Sequence, residues 1–345
     1  MASDQDWEAQ RDLLLGHRIS DLGLAIRGSR VERLVDQLYE ELDQRGVRFR
    51  PPVYLSDQWG CPDGTPLIGI PFYLADPRLE RIEAEMAFAV EDDAEAMRYL
   101  RHEAGHAFNY AFRLHERPEW QEMFGNFGRP YRERYRVNPF SRDHVRHILA
   151  WYAQKHPDED FAETFAVWLT PDSNWRREYA GWPAQRKLEY VDTVMRELAD
   201  AEPAVPIPSE DDVPVEAMRY SVAEHYHDGE EVVPIEDERQ FDVDLRKIFV
   251  PEQDAPGCES SHSFLRRHRR EIVARVSFWT SESPSVVRSL LDALEHRAES
   301  LKLRVGALEA ATLIELTAFA TAVTMSHRHT HLLGRARGSG VGARR

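Results

Sequence analysis

Cysteine is scarce in this chain: Cys61 and Cys258 are the only two among 345 residues. Standing so far apart, they supply neither a disulfide framework nor a cysteine-rich zinc site, and reduced thiols are the expectation. Long apolar runs are also missing. None approaches the ~20 residues needed to cross a bilayer, so no membrane partner is expected. Residues 1–11 are acidic and polar and lack the charged-then-apolar plan of a secretory signal, which points to a cytoplasmic protein. Positive charge is in deficit, with 44 Lys and Arg against 60 Asp and Glu and a net charge of −16. Phosphate backbones are held by basic surfaces, so a nucleic-acid partner is not expected. The two basic stretches, Arg266-Arg267-His268-Arg269-Arg270 and the Gly/Arg-rich end after Leu333, read as a solvated helix face and a disordered tail. No internal repeat is visible.

What remains is a globular composition, 42% hydrophobic and 10% aromatic, long enough to bury a sizeable core. Residues 7–45 read as helical, with Leu34, Leu38 and Leu42 at turn spacing. Residues 47–55 and 66–74 read as extended and imply a small mixed sheet. Residues 93–114 read as one long helix, because Met97, Leu100, Ala104, Ala107, Ala111 and Leu114 step by three and four. A second helix starts at Pro157, carries Asp158, Glu159 and Asp160 in its first turn, and stops at Thr170-Pro171. A third covers about 183–200. Residues 201–214 hold four prolines among acids and read as a strap or linker, residues 241–250 read as a strand, and 262–330 as strongly helical. The expected division is a domain over 1–200, a Pro/acidic strap over 201–260, a C-terminal helical unit over 261–332 and a disordered tail over 333–345. The fold class is α+β, predominantly helical. Oligomeric state is not readable from the sequence.

The decisive segment is His102-Glu103-Ala104-Gly105-His106. Residues four apart share one helix face, so both imidazoles can reach one ion, and the apolar stripe points the other way. Glu103 lies beside the pair, placed to take a proton from a metal-activated water. The third ligand is expected from the second helix, where Glu159 and Glu163 stand one turn apart. One would bind the metal and the other would hold the free N–H of a ligating histidine. Asp158 and Asp160 read as ordinary partners of the helix dipole. Cys61 could approach the metal, although nothing in its spacing requires it. His327, His329 and His331 read as a flexible polar end.

His-Glu-Ala-Gly-His, followed by Tyr-Ala-Gln-Lys-His-Pro-Asp-Glu-Asp-Phe-Ala-Glu-Thr-Phe-Ala-Val-Trp-Leu at residues 152–169, resembles the bacterial zinc-binding metallopeptidases. It is also similar to the catalytic helix of lethal-factor-type gluzincins. The resemblance implies a zincin-like fold, Zn2+ as cofactor and a peptide or protein substrate. It places the third ligand on Glu159, leaving Glu163 as the alternative, and an oxyanion-stabilising tyrosine on Tyr152, seven residues earlier; His156 is a weaker candidate for that role. The expected activity is zinc-dependent peptide-bond hydrolysis with Glu103 as general base. The rivals are a silent binding module on the same scaffold and a hydrolase of a non-standard amide or modified peptide. Residues 67–74 are the expected sheet edge for a substrate strand.

Overall fold

The computed structural model describes residues 4–86, 90–132, 135–148, 151–207, 214–227, 238–280, 282, 284–306 and 308–338. The chain falls into two compact units, Met1–Ala84 with Val90–His225, and Glu85–Ala89 with Tyr226–Arg345. The strap expected over 201–260 is divided between them, and residues 201–207 belong to the first unit. Within it, Ala204 and Val205 donate their N–H groups to Ala111 O.

The helical stretch expected over residues 7–45 is broken into α1 (Asp4–Gly16), a short 3-10 turn and α2 (Arg30–Gln44). Gly23 (φ +63°) and Gly28 (φ +80°) take the left-handed conformation that the break needs. Helix α2 starts where Ser29 accepts the Val31 N–H, and it buries Val31, Leu34, Val35, Leu38 and Leu42. Strands β1 (Val53–Ser56) and β2 (Ile68–Pro71) pair in parallel. They form a two-stranded parallel sheet, to which Gly60 adds an antiparallel bridge at Gly69. The edge expected over 67–74 is closed: Gly69 pairs with Tyr54 on one side and exchanges hydrogen bonds with Gly60 on the other. Helices α3 (Pro77–Met86), α4 (Asp93–Ala111), α5 (Pro118–Phe124), α6 (Pro157–Leu169), α7 (Trp175–Glu178), α8 (Ala184–Glu197) and α9 (Val222–His227) follow.

Helices α4 and α6 form the centre of this unit. Asp92 caps α4 by accepting the Glu95 N–H at 2.8 Å, and Asp93 and Glu95 face the positive helix end. Pro157 opens α6, and His156 Nδ1 accepts the Asp158 N–H. The helices touch at Gly105, where an added Cβ would lie 2.7 Å from Ala162 Cα. Phe108 stacks on Phe165 with ring centroids 4.9 Å apart, and Trp120, Phe124 and Phe161 extend the aromatic core. Arg101 leaves α4 on the side of α2 and grips Glu41 with two 2.7 Å bonds, both residues being buried. Removing one partner of such a pair strands the other charge, so Glu41→Ala should cost on the order of 3–5 kcal/mol, read from urea unfolding midpoints.

The second unit is built from α10 (Asp242–Ile248), α11 (Ser261–Thr280), α12 (Pro284–Ser300) and α13 (Glu309–Gly338), with a two-residue antiparallel pair, β3 (Val250–Pro251) and β4 (Leu303–Arg304). The strand expected over 241–250 is mostly helix. Phe241, Leu245 and Phe249 recur every four residues and all three are buried in the helical core. Arg267 and Arg269 of the basic run are paired with Glu259, Glu309, Asp292 and Glu295. The alternating His327, His329 and His331 have side chains outside the described residues, as are residues 339–345. No helix among the described residues is long and apolar enough to cross a membrane.

Candidate metal centre

Helix α4 places His102, Glu103 and His106 within one turn, and the close crossing at Gly105 brings the first turns of α6 against them. Both faces of α4 are covered here, and the site residues are buried like the apolar stripe. His102 Nε2 lies 3.0 Å from Glu159 Oε2, His106 Nε2 lies 3.2 Å from the same oxygen, and the two Nε2 atoms are 3.1 Å apart. His102, His106 and Glu159 are thus a group whose donor atoms could hold one metal ion.

The outer nitrogen of His102 explains why its inner one is available. Glu163 Oε1 lies 2.9 Å from His102 Nδ1, and its other oxygen accepts the N–H groups of Ile148 at 2.8 Å and His147 at 3.2 Å. Asp158 lies against His106 without a hydrogen bond: Oδ2 is 3.0 Å from Nδ1, while Asn109 Nδ2 and Tyr110 OH each donate to Asp158 at 2.6 Å. A carboxylate only accepts, so a neutral His102 carries its proton on Nδ1 and turns its Nε2 lone pair inward. Three donor atoms then meet in one small triangle, where a cation would take the place of protons held between the imidazoles and Glu159. Donors about 2.0–2.1 Å from a tetrahedral zinc stand about 3.3 Å apart, close to the triangle found here. The site therefore fits a cation.

Its electrostatics agree. Burial opposes charging of His102, but its contacts with Glu159 and Glu163 prevail and move its pKa up to about 9. His106 rises well above its ordinary value, because Asp158 and Glu159 outweigh its burial. Glu159 is held well below the usual carboxylate range; burial opposes this, and the two imidazoles override it. The pocket is short of positive charge. Glu103 differs from its neighbours. It is buried, it has no hydrogen-bond partner among the described residues, and burial raises its proton affinity.

A cleft of about 510 Å³ opens on this group, with Trp59, Cys61, Phe127, Tyr131 and Tyr152 among its walls. The Tyr152 ring lies 5.5 Å from the His102 ring, and burial and the Glu159 charge keep its hydroxyl protonated. His156 lines the cleft, but its ring is engaged at both ends, as the α6 cap and on Arg129 O at 2.8 Å. The Cys61 thiol donates to Thr65 O, and burial and nearby Glu103 push its pKa well up, so it stays a thiol outside the ligand group.

Sequence reasoning missed Asp158, which it took for a dipole partner, and Tyr131, whose hydroxyl donates to Glu159 Oε1. Asp158 was hidden among three consecutive acids. Tyr131 lies in a stretch without periodicity, and no local pattern marks it. Replacing Glu163 by Ala should weaken zinc binding by roughly 10–100-fold without unfolding the chain, measured by chelator competition.

Residues 79–174, which include every member of the group, match a protein family described as "Putative zinc-binding metallo-peptidase". No match is found among the curated proteins or among the solved structures. The His-His-Glu group is one that can hold a metal ion, and zinc is the metal that the matching family is described as binding.

Proposed function

We propose that this chain is a zinc peptidase of the gluzincin arrangement, with His102, His106 and Glu159 as ligands and Glu103 as general base. The observation that carries this reading is the convergence of three donor atoms from two helices beside a buried carboxylate that has no hydrogen-bond partner among the described residues. A purely structural site has no use for that carboxylate.

A bound zinc would supply Lewis acidity, lowering the pKa of a water towards ~7 and polarising a carbonyl. Glu103 accepts the proton of the attacking water and passes it to the leaving amine. Its raised proton affinity suits a group that must hold a proton briefly. Tyr152, kept protonated, would donate to the oxygen that becomes negatively charged. Glu163 fixes the tautomer of His102. The cleft volume is that of a typical small-molecule site and would take a few residues of an extended peptide or protein substrate.

The test is zinc stoichiometry together with cleavage of a peptide library. Wild-type protein should carry one zinc per chain and cut peptides, and Glu159→Ala should lose most of the metal. Stoichiometric zinc with no cleavage of any peptide or modified amide would favour the silent binding module. Full zinc retention in Glu159→Ala would defeat the ligand assignment.

A further inference from the structure

The two oxygens of Glu159 do different things. Oε2 faces both inner imidazole nitrogens, at 3.0 and 3.2 Å. Oε1 is turned away from them and accepts the Tyr131 hydroxyl. A carboxylate at a metal can offer one oxygen or both, and nothing on the two metal-bearing helices prevents Glu159 from offering both. The constraint comes from a residue 28 positions earlier in the chain, in the irregular stretch between α5 and α6.

Tyr131 is itself supported. Its hydroxyl proton is committed to Glu159, and Tyr152 lines the same cleft beside it. Tyr152 in turn lies 3.4 Å from Lys155 Nζ, whose ammonium sits 4.4 Å from the centre of the Tyr131 ring. Lys155 thus braces both tyrosines, the Tyr152 hydroxyl by a hydrogen bond and the Tyr131 ring through its charge. Tyr131 is nevertheless 49% exposed, so its hydroxyl can be removed without opening the core.

We propose that Tyr131 is a positioning residue that holds Glu159 in single-oxygen coordination and so keeps a position at the metal open for water. This rests on the zinc reading above.

The test uses the full chain loaded with zinc or with cobalt(II), in wild type, Tyr131→Phe and Phe140→Ala, the last a largely exposed site in the same stretch. Zinc affinity comes from chelator competition, and coordination from the visible absorption of the cobalt forms, which weakens as coordination rises from four to five. Tyr131→Phe should bind zinc roughly 10–100-fold more weakly, show weaker absorption per cobalt and melt as wild type does. Phe140→Ala should match wild type in all three. Tyr131→Phe indistinguishable from wild type in affinity and spectrum would overturn the proposal, as would weaker affinity with an unchanged spectrum. Failure of the wild type to bind cobalt would instead overturn the metal centre, and the proposal with it.

Discussion

Glu103→Gln should retain zinc at the wild-type stoichiometry and lose peptide hydrolysis by on the order of 10²–10⁴-fold in kcat, the usual worth of a positioned general base. The substitution is nearly isosteric, and no hydrogen bond is lost, since the Glu103 carboxylate has no partner among the described residues. The amide cannot accept a proton at neutral pH, so the effect isolates that one ability. Burial already favours the protonated carboxyl. Stability should therefore change little or rise slightly, measured as Tm at equal metal loading. Unchanged turnover in Glu103→Gln would remove Glu103 from the reaction.

Gly105→Ala should be the most damaging small substitution in the first unit. The new methyl would meet main chain rather than a movable side chain: Ala162 Cα at 2.7 Å and Ala162 O at 3.0 Å. The helix gains about 1 kcal/mol of propensity from losing a glycine, against ~1–3 kcal/mol for overpacking. The larger consequence is geometric. Helices α4 and α6 must separate, and His102 and His106 leave with one while Glu159 leaves with the other. Zinc affinity should fall by more than 100-fold. Ala162→Gly should not rescue it, because the obstruction is backbone. A Gly105→Ala protein with wild-type zinc affinity would show that the crossing is not what sets the ligand geometry.

Legibility in the sequence followed locality. The paired imidazoles, the Glu103 carboxylate beside them and both carrier helices were readable, because capping residues and turn-spaced side chains encode them within a few positions. Glu159 and Glu163 could be named as a pair, but their division of labour depends on where α6 crosses α4. That crossing is written in Gly105, a residue that a motif pattern treats as filler. A glycine inside an apolar helix was the available signal for close approach. Residues 241–250 misled because Phe241, Val243 and Leu245 alternate, while the buried positions Phe241, Leu245 and Phe249 carry the helical period. Gly60 and Gly69 meet through the chain's path, so the closure of the β2 edge left no mark in composition.

All thirteen residues of α6 are buried, four of them acidic. Among the described residues, only Asp160 of these four meets an ammonium, from Lys187. Asp158 and Glu159 face the imidazoles, and Glu163 leans on main-chain amides. Stripping the ion would leave this helix as the unit's weakest part. Amide exchange in its first two turns should then accelerate well ahead of that in α2 or α8, so chelation would convert a buried rod into the point from which the unit opens.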